Sequence, residues 1–416
     1  MSLKLRIHNF KSFDDLSVEL GDLTVLVGQA ASGKSNLLEA LETLGYAIKV
    51  LVEASLGEYP INYPPAPFNY YVRSVRCLDL INRHRRIQES SSMVHLEDLE
   101  KRISFNVNIE CLQDPSTVHI NLGIGDINGK LVAQLVEKIL DTSSYGSSDI
   151  SVILQFLGSV ISSMQISSHI KEKEDLKTLP RHVIAPRLYG FDRMNVVTNI
   201  MYRNTRRRYP YSYLEERATN LGWILYNNDD VLDEINHVLE ELGFSIQIEP
   251  LSDGQLAFRD GGKDIGPVSI SDTVLRLLYM LTIFLTSKKT TYKAQGVTLY
   301  PLVMLEEPEA HVYPFAFSDL IQTLYETLMN DSSLIITTHS GNLAQRLWEK
   351  YSGKKDVKIY YVIRNKSRST ILYEVDMVEL LNEGLDLDML VSQPMEKIEE
   401  LINHNVLFLQ SSNGDP

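Results

Sequence analysis

Eight consecutive residues, Gly28-Gln29-Ala30-Ala31-Ser32-Gly33-Lys34-Ser35, carry the spacing G-x-x-x-x-G-K-[ST]. That spacing suits one kind of chemistry. Small residues let backbone N–H groups converge on an anion, and a helix that starts at the lysine adds its positive end. Lys34 then reaches β- and γ-phosphates, and the Ser35 hydroxyl is placed to ligate magnesium. The prediction is an ATP site with Mg as the accompanying metal. Its binding residues are Gly28, Gln29, Ala30, Ala31, Ser32, Gly33, Lys34, Ser35 and Asn36.

A second chemical cluster follows an apolar run, Leu302-Val303-Met304-Leu305-Glu306-Glu307-Pro308-Glu309-Ala310-His311. Such a run reads as a buried strand that delivers carboxylates to its C-terminal end, where open α/β sheets place their ligands. Glu306 would hold magnesium through water. Glu307 would orient or deprotonate the attacking water, the role phosphoryl transfer to water requires. A third run, Ser333–Thr338, ends at His339-Ser340, one helix and one strand further on. In a parallel sheet that returns His339 to the same edge, within reach of a γ-phosphate or of the attacking water. Ser340 reads as the cap of a helix over Leu343–Lys350.

The elements that must position these residues are legible nearby. Leu23-Thr24-Val25-Leu26-Val27 is a short buried strand leading into the loop. Leu37, Leu38, Leu41 and Leu44 fall at helical spacing after it. Upstream of the acidic strand, Ser271 or Asp272 caps a helix that begins Val274-Leu275-Arg276-Leu277-Leu278, and a capped N-terminus with free hydroxyls is a second place for phosphate. The first residues alternate, with Leu3, Leu5 and Ile7 on one face, which predicts a strand and no signal peptide.

The chain has 416 residues, a 44% hydrophobic and 23% charged composition, and a net charge of −14. This is an ordinary globular balance with room for two or three structural units. The acidic balance argues against nucleic-acid binding through global charge. No stretch reads as a membrane span. Cys77 and Cys111, the two cysteines, make neither a disulfide framework nor a zinc site, which points to a reducing cytoplasm.

The order of these motifs resembles the ABC-type ATPase heads of the SMC, Rad50 and RecF class. It is similar above all to the AAA-family ATPases related to overcoming-lysogenization-defect nucleases and phage-defence ATPases. Ile7-His8-Asn9-Phe10-Lys11-Ser12-Phe13 is similar to the first strand of those heads, and Glu306–His311 to their acidic strand. The resemblance implies a P-loop NTPase of mixed α/β fold with an antiparallel β subdomain and a helical insertion. It also implies head-to-tail homodimers around two ATP molecules, with Ser271 and Asp272 acting in trans on the partner's site. The family's usual signature has glycine after the serine, whereas Asp272 and Thr273 follow Ser271 here.

The expected layout is a first head lobe over 1–130, a mainly helical insertion over 131–245, a second lobe over 246–375 and a helical tail over 376–416. Ile103–Ile109 and Val118–Leu122 read as antiparallel strands. Leu131–Leu140, Ile150–Met164, Tyr213–Asn227, Val231–Leu242 and Met377–Ile402 read as helices. Ser143–Ser148 is a low-complexity stretch. Two basic clusters stand out: Arg73, Arg76, Arg83, Arg85 and Arg86, and Arg203 with Arg206, Arg207 and Arg208 among tyrosines. The second is the candidate nucleic-acid surface, by phosphate charge and base stacking, against the plainer reading of a solvated face. The stretch past His339 is too short for an appended nuclease, so an effector would be a separate polypeptide. The leading function is an ATPase whose ATP-dependent dimerisation drives a DNA-maintenance or phage-defence effector. The alternatives are a slow ATP-gated scaffold without nucleic-acid contact and, more weakly, a transporter ATPase.

Overall fold

The computed structural model describes residues 2–56, 77–82, 91–111, 117–126, 129–138, 182–201, 214, 218, 220–251, 255–292, 297–310, 325, 328–330, 332–365, 367–392, 400–404 and 406–410. In chain order, β1 (Leu3–Phe10) and β2 (Phe13–Leu20) form a hairpin, and β3 (Leu23–Val27) leads through the phosphate loop into α1 (Lys34–Leu56). Next come β4 (Ser91–Asp98), β5 (Ile103–Cys111), β6 (Thr117–Asp126), β7 (Gly129–Lys138) and β8 (His182–Gly190). Three helices, α2 (Arg193–Met201), α3 (Leu221–Asn227) and α4 (Asp229–Glu241), precede a small sheet of β9 (Ile246–Pro250), β10 (Leu256–Asp260) and β11 (Lys263–Ile265). Then follow α5 (Asp272–Thr286), β12 (Thr290–Tyr292), β13 (Val297–Glu306), β14 (Ser333–Thr338), α6 (Gly341–Tyr351), β15 (Val357–Arg364) and β16 (Thr370–Val375). The described chain closes with α7 (Met377–Asn382), α8 (Leu387–Ser392) and β17 (Leu407–Gln410).

The strands make two principal sheets. In the central one β8, β13, β14, β3 and β15 run parallel, with β16 and β17 added antiparallel on one side and β12 paired to the start of β13. Its middle strands are apolar on both faces because both faces are covered: every residue of β3 and β14 is buried. Alternate residues of one strand therefore enter different cores. Val25 and Val27 join α5 and α6 on one side, while Leu26 joins α1 on the other. The second sheet, in the order β2-β1-β4-β5-β6-β7, is antiparallel. Its clean alternation, as in Ile103, Phe105, Val107 and Ile109 of β5, turns one face onto α1.

Helix α1 thus lies between two sheets, and every residue from Leu37 to Ile48 is buried. A helix covered all round must satisfy its polar groups internally. Glu39 pairs with Lys11, Thr43 donates to the Glu39 carbonyl, and Glu42 accepts from the Leu188 N–H of β8 at 2.9 Å.

Three expectations are corrected. Leu131–Leu140 is not helical. Gly129–Lys138 is β7, paired to β6 through Leu131↔Ile124, Ala133↔Leu122 and Leu135↔Ile120. The stretch 131–245 also contributes β8 to the central sheet, beside the helices α2, α3 and α4. The tail is not simply helical: Gly384, at φ +71°, separates α7 from α8, and β17 adds a strand to the central sheet. Tyr213–Asn227 shortens to α3, whereas Val231–Leu242 corresponds to α4. Cys111 is disulfide-bonded, so the cysteines no longer argue for a reducing compartment. Ile150–Met164 and Ser143–Ser148 lie outside the described residues. Among the described residues no helix is long and apolar enough to cross a membrane.

Candidate active site

The parallel strands bring the predicted residues to one edge. Register pairs Thr338 with Val27 and Glu306 with Thr337, so the phosphate loop, the acidic strand end and His339 all follow the C-terminal ends of β3, β13 and β14. This is where open α/β sheets bind ligands.

The loop is held by tight backbone approach. Ala31 and Gly33 have positive φ, 59° and 107°. A Cβ at Gly33 would collide with the Thr370 hydroxyl, and one at Gly28 with the Val362 carbonyl. Thr370 Oγ1 donates to the Ser32 carbonyl at 2.9 Å and lies 2.6 Å from Ser12 Oγ, which also accepts from Asn36 Nδ2 at 2.6 Å. Gln29 Nε2 donates 3.0 Å to the Val391 carbonyl of α8, tying the loop to the tail. The Ser32 hydroxyl is buried with no hydrogen-bond partner.

Lys34 is 5% exposed. Its ammonium donates to the carbonyls of Gly28 at 2.7 Å and Gln29 at 3.0 Å, and meets His339 Nδ1 at 3.3 Å. Burial pushes its pKa down to about 8, against the raising effect of Glu307, Glu309 and Glu306. An ammonium can only donate, so Nδ1 of His339 accepts. The imidazole then carries its proton on Nε2 and donates it to Glu307 Oε1, 2.8 Å away. Lys34, His339 and Glu307 thus form one hydrogen-bonded line.

Glu307 stands in a left-handed backbone conformation, φ 44°. For a residue with a Cβ this costs about 1–2 kcal/mol, so the surroundings must impose it. Its N–H meets both the carbonyl and the hydroxyl of Thr337, at 3.0 and 3.3 Å. Its carbonyl accepts from Ala310 N–H at 3.1 Å and from Arg276 Nη1 at 2.9 Å. Glu309 fixes the adjoining turn: Oε1 accepts from the Thr338 hydroxyl at 2.5 Å and from the His339 N–H at 3.1 Å.

Ser271 is exposed and caps α5, accepting from Val274 N–H at 3.4 Å. Asp272 is paired with Arg193, whose Nη2 also donates to the carbonyls of Val268 and Ile270 at 2.7 and 3.0 Å. The site therefore contains groups that motif spacing did not single out: Arg193, Arg276, Thr337 and Thr370. Arg276 had a signal, as a lone charge inside an apolar helix. Arg203, Arg206, Arg207 and Arg208 lie outside the described residues, as do Arg73, Arg76, Arg83, Arg85, Arg86 and His311.

The donor set fits nucleotide and metal. The loop offers an unpartnered buried hydroxyl at Ser32 and an ammonium held by two backbone carbonyls, both suited to phosphate oxygens. Were magnesium to accompany the nucleotide, the Ser35 hydroxyl and the Glu306 carboxylate would be the groups to hold it. Among the described residues no group of three or more His, Cys, Asp or Glu could hold an ion alone. Mg²⁺ takes one or two protein oxygens and completes its shell with phosphate and water.

Residues 1–47 match a family model described as "AAA ATPase domain". Residues 168–344 match one described as "AAA domain, putative AbiEii toxin, Type IV TA system". The first segment contains the phosphate loop; the second contains Ser271, Glu306, Glu307 and His339. The two matched segments, both described as AAA domains, thus hold between them the phosphate loop and the strand ends that face it. No curated protein matches the chain. Among solved structures, the SMC head domain from Thermotoga maritima is similar at 12% identity and a TM-score of 0.37, over 91% of this chain and 100% of that one.

Proposed function

We propose that the protein binds ATP with magnesium on the loop Gly28–Asn36 and hydrolyses it, as an ABC/SMC-like head that dimerises on ATP and drives a separate effector. The observation that supports this best is the line Lys34–His339–Glu307. It sets a phosphate-binding cation and a carboxylate on either side of one imidazole. Water held between Glu307 and the γ-phosphate would pass its proton to the carboxylate as its oxygen bonds to phosphorus and the bond to ADP breaks. His339, donating from Nε2, would keep the carboxylate aimed and then face the γ-phosphate. Ser35 and Glu306 would hold magnesium, which offsets charge developing on the phosphate oxygens.

Ser271 would close the site of a second copy in trans, with Asp272 neutralised by Arg193. The description of the family covering 168–344 names a toxin of a TA system, which supports a defence effector over general DNA maintenance. The cluster Arg203, Arg206, Arg207 and Arg208 remains the candidate contact for DNA.

The test is Glu307→Gln. It removes a charge and almost no volume, so ATP affinity by calorimetry should stay near wild type. Turnover should fall by about 10² or more, the usual worth of a general base. A mutant that hydrolyses ATP at the wild-type rate removes Glu307 from the mechanism. Lys34→Ala should abolish tight binding, and unchanged affinity there would remove the phosphate loop.

A further inference from the structure

Arg276 lies in the buried run Val274–Leu278 of α5 and is 7% exposed. Its guanidinium stacks over Phe191, 4.5 Å from the ring centroid, and Nη1 donates 2.9 Å to the Glu307 carbonyl. Nε is buried without an acceptor. Burial lowers its pKa, and Glu309 and Glu307 act in the opposite direction. A guanidinium has five N–H donors and is costly to bury on so few acceptors, so packing alone would favour leucine or methionine here. What the arginine adds is a grip on one backbone carbonyl, and that carbonyl belongs to the left-handed residue at the end of β13.

We infer that Arg276 is a positioning residue for Glu307, fixing the backbone from which its carboxylate reaches His339. The inference rests on the reading of Glu307 as the group that orients water. Peptide flips are the natural escape from a left-handed conformation, and a donor on the carbonyl blocks rotation of the following peptide while Thr337 holds the preceding N–H. The grip also links two parts of the site. Helix α5 begins at the Ser271 cap, so any shift of that helix reaches the Glu307 backbone through the Arg276 side chain.

The experiment uses the full chain with Arg276→Met, which keeps apolar volume, and Arg276→Lys, which keeps a cation on a shorter stem with fewer donors. Glu307→Gln and the double variant Arg276→Met/Glu307→Gln are measured beside them. ATP affinity by calorimetry should stay within about threefold of wild type, while single-turnover hydrolysis falls about 10- to 100-fold in Arg276→Met, as expected of a misplaced group. Arg276→Lys should recover part of the rate. In the Glu307→Gln background, Arg276→Met should cause no further loss.

If Arg276→Met does not fold, Arg276→Lys carries the test, with reduced turnover at unchanged affinity as the expected result. Wild-type turnover in a folded Arg276 variant, with Glu307→Gln inactive, overturns the inference and leaves the Glu307 reading standing. Loss of ATP affinity in step with turnover overturns it too, since that marks a merely structural role. An active Glu307→Gln overturns both.

Discussion

At the scale of single residues, the polar groups at the strand ends partner one another. Lys34 donates hydrogen bonds to two loop carbonyls and to His339 while burial pushes its pKa down to about 8. A bound phosphate favours the ammonium and raises that pKa again. Binding above pH about 8 must therefore take up a proton, whereas below it the lysine is already charged. ATP affinity should hold through neutral pH as far as Lys34 is concerned, then fall by up to about tenfold per pH unit as the free lysine deprotonates. Calorimetry in buffers of different ionisation enthalpy should show more proton uptake at pH about 9 than at about 7.5; equal uptake at both would mean Lys34 does not meet phosphate. For folding the sign is separate. The folded pKa lies below the unfolded value of 10.5, so this group's contribution to stability rises as pH climbs from about 8 to 10.5.

At the scale of elements, Gly45 shows what placement adds to propensity. It lies in α1, where helix propensity alone predicts that Gly→Ala gains about 1 kcal/mol. A Cβ there would collide with the Pro186 carbonyl of β8. Gly45→Ala should therefore lower stability by about 1–3 kcal/mol, the usual cost of overpacking. A rise in denaturant midpoint would contradict the tight α1–β8 contact. The same contrast separates what the residues announced from what they did not. Strands β3 and β14 were legible because burial on both faces writes an unbroken apolar run, and the caps Ser271 and Ser340 because capping is local. The phosphate loop and the carboxylate pair were legible for a like reason, since their chemistry sits in consecutive residues. Strand β7 was misread because Leu131, Val132, Leu135 and Val136 fit a helical period as well as an alternating one. Pairing to β6 decides between them. Arg193 and Thr370 could not be read at all as site residues. Their partners, Asp272 and Ser32, are distant in sequence and are met only after the sheets assemble.

At the scale of the whole molecule, the site lies at the edge of the central sheet while Ser271, exposed, caps a separate helix. Met194 and Val268 are 70% and 62% exposed, and they flank the point where Arg193 neutralises Asp272. Apolar area beside a neutralised charge loses less on desolvation than an open carboxylate would. If a second copy supplies Ser271 to the first copy's ATP, the two-fold relation closes two such sites at once, and each bound ATP favours the dimer by mass action. Glu307→Gln with ATP and magnesium should hold the nucleotide and gain mass in light scattering, from monomer to dimer, whereas wild type should return to monomer as ATP is consumed. Adding Ser271→Arg to Glu307→Gln should cancel the gain without touching the phosphate loop, so ATP should still bind each monomer. A Glu307→Gln protein that traps ATP yet stays monomeric would favour a switch that works within a single copy. One that dimerises with Ser271→Arg in place would put the interface elsewhere on the surface.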